Sequence, residues 1–460
     1  MTAATTLPLA EIARAFDEQR LSATQLAEEA IANHGRFDAK LHAYSQWTPE
    51  IARDMARRAD DASRHGGRLG PLHGIPIAPK DLFAVAGMAT FAGSPRKLPA
   101  RWEQDGPVVA AIRRQGGVFT GKTHMVEFAF GGTGVNAHWP CPRNPWDAEQ
   151  ERSPGGSSSG AGVALLEGSA LIALGTDTAG SVRIPASATG NVGLKVTAGR
   201  WSTDGIVPLS HTFDTPGVLA RSVADAAVAF QGIDPSGPRI EPADLGRLRI
   251  AVDDAMWRDC DAGIAEAAKA ALDRLARAGA RLVAKTVPEF AGAVAVFNEG
   301  GVSAIELRRF LEHALPDWIA TLDPINAPVV ARAATVSDAV YRNRLARLAT
   351  LAGTVAATLA DVDVVAAPTL AVTPPPLSAI RDSDSHWRAN RALTRNTVPA
   401  NYLGLCGLSL PVGFDAARMP VGLQFIAGAR QEEPLLAAAL AAERVLGAAR
   451  DILGAPPLLA

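Results

Sequence analysis

The sequence predicts one large α/β body, and three observations predict it. Short apolar segments broken by glycine and proline begin near residue 70, a strand–helix–strand unit is legible at residues 248–285, and helical patterns stand at both ends of the chain. Ser22 and Gln25 form a capping box, so a helix is expected over Ala23 to His34, with Gly35 as its C-cap. Gly74 to Asp81 reads as an apolar strand edge closed by Lys80. Ser157 to Leu166 reads as a short helix, and Leu171 to Leu174 as a buried strand running into the loop Gly175 to Ser181. Asp234-Pro235-Ser236-Gly237-Pro238 is the best linker. Beyond it, Leu248 to Val252 is a strand, and Ile264, Ala267, Ala268, Ala271, Leu272 and Leu275 stripe one helix face. Gly279 stops that helix and Arg281 to Lys285 resumes a strand. A strand at Val362 to Ala366, the Pro374-Pro375-Pro376 break, a glycine-rich strand region from Leu403 to Gly428 and a final Ala/Leu-rich helix opened by Glu432 and Glu433 complete the pattern.

Composition narrows the class. The 460 residues carry 45 basic and 47 acidic side chains, a formal charge of −2, which argues against nucleic acid as a partner because phosphate binding needs a basic stripe. A hydrophobic fraction of 48% with 20% charged residues suits a globular chain with a large core. No run reaches the roughly 20 uncharged apolar residues of a membrane span: Ala161 to Gly175 contains Glu167, and Leu348 to Leu370 contains Asp361 and Asp363. The N-terminus lacks the basic and apolar regions of a signal peptide. Cys141, Cys260 and Cys406 are scattered and odd in number, and nine histidines occur singly without an HExxH, so neither a disulfide framework nor a metal site is expected. An enzyme in a reducing cytoplasm is the expectation.

The densest candidate site is Ser153-Pro154-Gly155-Gly156-Ser157-Ser158-Ser159-Gly160. As a phosphate loop it has the right glycine spacing, but Ala161 and Gly162 stand where lysine and Ser/Thr belong. As a nucleophile elbow, Gly156-x-Ser158-x-Gly160 fits in letters, but needs an acid and one of His211, His313 or His386 downstream. A flexible loop or a helix start is the plain reading. A fourth reading joins the cluster to Lys80 and Ser181. A serine nucleophile needs a base, and a lysine serves when burial lowers its pKa and frees the amine. Ser181 ends a loop after a buried strand, and Thr178, Ala179 and Gly180 before it leave N–H groups free to converge on an oxyanion.

Lys80, the Gly155 to Gly160 run and the run from Gly175 to Ala186 together resemble the amidase signature family, with Ser157 standing 24 residues before Ser181 (181 − 157). The likeness continues at Gly193-Leu194-Lys195, Gly205 to Pro208, Asp214 to Gly217, Ala367 to Thr369, Asn401 to Leu405 and Pro420 to Gln424, covering about residues 20–230 and 360–430. The resemblance implies one domain with a large mixed β-sheet core flanked by helices on both faces. It would comprise a helical part (1–70), a signature core (71–230), a variable pocket-shaping insertion (234–360) and a completing part (361–460). It implies a cofactor-free, metal-free serine amidohydrolase: Ser181 attacks, Ser157 relays its proton to Lys80 as base, and the Gly156–Ser157 peptide is cis. It further implies an oxyanion hole of Thr178, Ala179 and Gly180 N–H groups, Asp177 paired with Arg183 as scaffold, and an acyl pocket lined by Ala129, Phe130 and Gly131. The implied substrate is a small amide, carbamate or ester, with a homodimer as the family-level assembly. Ala179 departs from the usual glycine, Thr189 from a frequent cysteine, Val196 from proline and Cys406-Gly407 from Pro-Ala, positions that bear on specificity. Two alternatives stand beside this: the amide-cleaving component of a tRNA-dependent amidotransferase, and a non-catalytic phosphate-binding module.

Overall fold

The structure, a computed structural model, describes residues 3–459. Twelve strands occur among them: β1 (Tyr44–Trp47), β2 (Pro76–Pro79), β3 (Val118–Phe119), β4 (Gly121–Thr123), β5 (Ile172–Asp177), β6 (Val192–Lys195), β7 (Thr215–Ala220), β8 (Arg249–Val252), β9 (Arg281–Ala284), β10 (Val364–Pro368), β11 (Cys406–Phe414) and β12 (Pro420–Ala427). Ten of them form one sheet in the order β3-β2-β5-β7-β6-β11-β12-β10-β8-β9, and β1 pairs with β4 in a small second sheet. The large sheet is mixed: β3, β2 and β5 run parallel, the middle is antiparallel, and β10, β8 and β9 are parallel again. Every residue of β5 and β7 is buried. Because successive side chains on a strand point to opposite faces, both faces of the sheet centre must be covered, and helices cover them.

The first long helix differs from expectation. Its capping box at Ser22 and Gln25 is present, but it runs over Ala23–Leu41 and ends at His42 with φ 51°. Gly35 lies inside it with no neighbour within 4 Å of a β-carbon built there. An exposed glycine costs a helix only about 1 kcal/mol relative to alanine, whereas Phe37 and Leu41 beyond it continue the buried stripe of Leu26 and Ala30. Packing therefore outweighs the break. The last helix likewise stops at Leu446, where Gly447 takes φ 95°, and a short helix Ala449–Leu453 follows.

Residues 234–238 form a loop, tied back where Arg200 donates to Asp234 at 2.8 Å. The segment after it is part of the body: β8 and β9 build one end of the main sheet, and the helices that follow pack beside it. The small sheet, absent from the sequence pattern, aligns Thr123 against Lys80 in an isolated bridge. Among the described residues no helix is long and apolar enough to cross a membrane.

Candidate active site

Lys80 follows the last residue of β2, between β3 and β5 in the sheet, and is fully buried. Its backbone N–H donates to Leu174 O at 3.0 Å, which sets it beside the C-terminal end of β5. Lys80 is neither at the surface nor paired with its neighbour Asp81. Asp81 is also buried, but it faces Lys122 Nζ at 3.4 Å and accepts from Gln46 Nε2 at 2.9 Å. Lys80 Nζ instead donates to two hydroxyls, Ser157 Oγ at 2.8 Å and Thr176 Oγ1 at 3.0 Å. Burial drives its pKa far below the lysine range, to about 7, against the opposing pull of Asp214 and Asp177.

Ser157 precedes the helix Ser159–Glu167, is fully buried, and is entered by a cis peptide from Gly156. Its carbonyl accepts Val126 N–H at 3.1 Å, which brings the segment 126–131 alongside. The glycines of this loop face packed protein. A β-carbon on Gly156 would lie 2.6 Å from Gly134 N, and one on Gly160 2.0 Å from Ala43 O. These glycines are needed for close packing against protein, and no lysine stands in the loop to hold a phosphate. The elbow reading fares no better: Ser158 Oγ is buried without a partner, His386 bonds Thr133, and His211 sits against Glu306.

The loop Thr178 to Ser181 leaves the end of β5 and is held from below by Asp177. Asp177 Oδ1 accepts Gly180 N–H at 2.7 Å, and Oδ2 accepts the N–H groups of Val182 and Arg183 at 3.2 and 3.3 Å. Arg183 closes a two-pronged pair on the same carboxylate, Nε to Oδ2 and Nη2 to Oδ1, both at 3.1 Å, with neither side chain exposed. The remaining Arg183 donors reach Gln424 Oε1 at 3.1 Å, Thr397 O at 2.9 Å and Asn401 Oδ1 at 2.6 Å. Burial alone would raise the Asp177 pKa, but the Arg183 guanidinium outweighs it and holds the carboxyl at about 2. Asp177→Asn leaves a buried guanidinium uncompensated, so urea unfolding should show a loss of about 3–5 kcal/mol at pH 7. With its folded pKa lowered, this carboxylate stabilises the chain above the ordinary aspartate range and ceases to as pH falls towards 2. The variant should therefore lose part of the wild-type acid sensitivity.

The N–H groups of residues 178–181 differ in their bonding. Gly180 N–H is already given to Asp177, whereas the N–H groups of Thr178, Ala179 and Ser181 have no acceptor among the described residues. Gly180 is needed for shape: it takes φ 131°, and a β-carbon there would meet Thr397 Oγ1 at 2.2 Å. Thr397 Oγ1 in turn donates to Ala179 O at 2.6 Å. Ser181 is buried, and its hydroxyl makes no hydrogen bond to any described residue. Lys80 and Ser157 are thus brought into direct contact, and Ser181 stands at the end of the anchored loop, unbonded.

Ala129, Phe130 and Gly131 follow Phe128 in a segment of left-handed backbone, with φ 47° at Phe128, 58° at Ala129 and 143° at Gly131. The Phe130 ring lies 4.7 Å from that of Trp387, and a β-carbon on Gly131 would strike His386 Nε2 at 2.7 Å. The sequence pattern assigns no role to Thr176, Asp214, Thr397 or Asn401. Asp214 and Asn401 fall in the stretches of family likeness, and Thr176 is a hydroxyl near the end of a mostly apolar strand. Asp214 accepts Thr178 Oγ1 at 2.6 Å, and burial raises its pKa to about 6 despite that bond.

Known proteins share both this sequence and this fold. The sequence model of the family described as Amidase matches residues 25–436, running through the middle segment that carries no visible motif. The chain is 46% identical to 2-amino-5-chloromuconic acid deaminase of Comamonas testosteroni, over 98% of this chain and 99% of that one. It is 31% identical to a glutamyl-tRNA(Gln) amidotransferase component of Salinispora arenicola, over 97% and 99%. A crystal structure of an amidase superposes with a TM-score of 0.86 at 31% identity, covering 96% of this chain and all of the other.

Proposed function

This chain belongs to the amidase family, and we propose on that premise that Ser181, Ser157 and Lys80 act as nucleophile, proton relay and base in cleaving a small carbon–nitrogen substrate through an acyl-enzyme. One observation carries the reading. The Lys80 amine is buried and, among the described residues, hydrogen-bonds only to hydroxyls, one of them Ser157 at 2.8 Å. Such an amine is easily neutral and can take a proton only through those hydroxyls.

Ser181 Oγ adds to the carbonyl carbon as its proton passes to Ser157 and the Ser157 proton passes to Lys80 Nζ. The N–H groups of Thr178, Ala179 and Ser181 receive the charge on oxygen. The C–N bond then breaks as Lys80 returns its proton through Ser157 to the leaving nitrogen, and water, activated along the same route, releases the acid. Since the free amine is the active form, kcat/KM should rise about tenfold per pH unit below pH 7 and level off above it.

Amides, carbamates and esters all suit this chemistry. The 46% identity to a deaminase over nearly the whole of both chains favours a second reading, in which the substrate is a small amino-substituted unsaturated diacid. Purified chain should be offered aryl amides, carbamates, esters and 2-aminomuconate-type diacids, with ammonia or amine release as readout and fluorophosphonate labelling of Ser181 as control. Labelling at Ser181 with turnover of an amide, carbamate or ester supports the mechanism, whereas ammonia release from the diacid alone, whose C–N bond is not an acyl bond, would favour the second reading without an acyl-enzyme. Absence of both labelling and turnover would sink the mechanism, and activity appearing only when the chain copurifies with partner proteins would favour the amidotransferase role instead.

A further inference from the structure

Glu306 lies on the helix Val302–Ala314, within the segment expected only to shape a pocket. It is 3% exposed. Its carboxylate accepts four hydrogen bonds. Ser210 Oγ donates a short bond to Oε2, and Thr212 N–H reaches the same oxygen at 3.3 Å. Thr212 Oγ1 and Tyr341 OH donate to Oε1 at 2.5 and 2.7 Å, and His211 Nε2 stands 3.4 Å away. Ser210 and Thr212, on either side of His211, are therefore held by one side chain that belongs to a different part of the chain.

What they hold is the turn that presents Asp214. Asp214 N–H donates to Ser210 O at 2.9 Å, and Asp214 Oδ2 accepts Leu209 and Ser210 N–H at 2.8 and 3.0 Å, so the turn folds around that carboxylate. Its other oxygen, Oδ1, takes the Thr178 hydroxyl at 2.6 Å. Phe213, between them, stacks on Tyr402 with ring centres 4.1 Å apart, which keeps the turn from sliding. A continuous path of charge-assisted bonds thus runs from Glu306 through 210–212 and Asp214 to the first residue of the loop that ends in Ser181.

We infer that Glu306 is a positioning residue for the reaction: it fixes the 209–214 turn, and through Asp214 the Thr178 end of the oxyanion loop. The inference rests on the mechanism proposed above. A displaced donor loses transition-state charge stabilisation with little effect on ground-state binding, and one oxyanion donor is typically worth about 10²–10³ in rate. A partial shift should cost less.

The test is a double-mutant cycle on the full chain, with active sites counted by fluorophosphonate titration. Glu306→Ala should lower kcat per active site by about 10- to 100-fold while KM stays within about threefold. Thr178→Val, which removes the hydroxyl that Asp214 holds, should give a similar loss. The double variant should lose little more than the worse single one, because both break the same path. If Glu306→Ala does not fold, Glu306→Gln, which keeps the size and one acceptor, replaces it in the cycle. Unchanged kcat per active site at position 306, with only a lowered Tm, would overturn the inference. So would losses that multiply in the double variant. A wild-type chain that is not labelled at Ser181 would instead strike the mechanism itself, so the two failures are separable.

Discussion

On the proposed mechanism, replacing Ser181 with alanine should remove turnover, by about 10⁴-fold or more in kcat, and leave the fold as it was. The size follows from the role: without the oxygen no acyl-enzyme forms, and the binding and oxyanion groups supply only the residual rate. The intact fold follows from the geometry, because the Ser181 hydroxyl bonds to no described residue and its removal orphans no partner. Two measurements check the pair of claims. Fluorophosphonate adducts at the peptide carrying Ser181 should vanish, and Tm should stay within a degree or two of wild type. A variant that kept its rate would remove Ser181 from the chemistry.

The second large effect is at Lys80. Lys80→Met should cut kcat by about 10³-fold or more, since a general base and its proton route are both lost. It should also erase the acid limb near pH 7 from whatever rate remains. Stability should move the opposite way. Burial disfavours the ammonium, so the folded chain gives up this proton more readily than the unfolded one. The resulting penalty grows as pH falls through the lysine range and is complete below about 7. An apolar side chain of similar length escapes it, so Lys80→Met should match or exceed the wild-type Tm at pH 6, with the difference shrinking at pH 9. A destabilised variant with an unshifted acid limb would contradict both halves.

Much of this is legible in the order of the residues. The Ser22 capping box, the strand–helix–strand unit at 249–284 and the strand character of β11 and β12 follow from local pattern, because capping and alternation act over a few residues. Lys80, Ser157 and Ser181 are legible as motifs, and so is the Asp177–Arg183 pair. What escapes depends on contacts far apart in sequence. Gly35 looks like a helix stop because the burial of Phe37 and Leu41 cannot be seen locally. Gly180 looks like a free donor because its acceptor, Asp177, is defined only once the loop curls. Glu306 is an ordinary helical glutamate until residues 210–212 arrive against it from nearly a hundred positions earlier.

The knot beneath the nucleophile loop has a consequence for biosynthesis. Arg183 and Asp177 find their outer partners at Thr397, Asn401 and Gln424, between 214 and 241 positions downstream. Contacts so remote must await synthesis of residues 397–424, and long-range pairing of this kind is slow to form. A ribosome-bound nascent chain halted before residue 397 would have Lys80, both serines and their glycines in hand, yet no clamp to set them. The loop that carries Ser181 should therefore be set late and all at once, only after residue 424 has emerged.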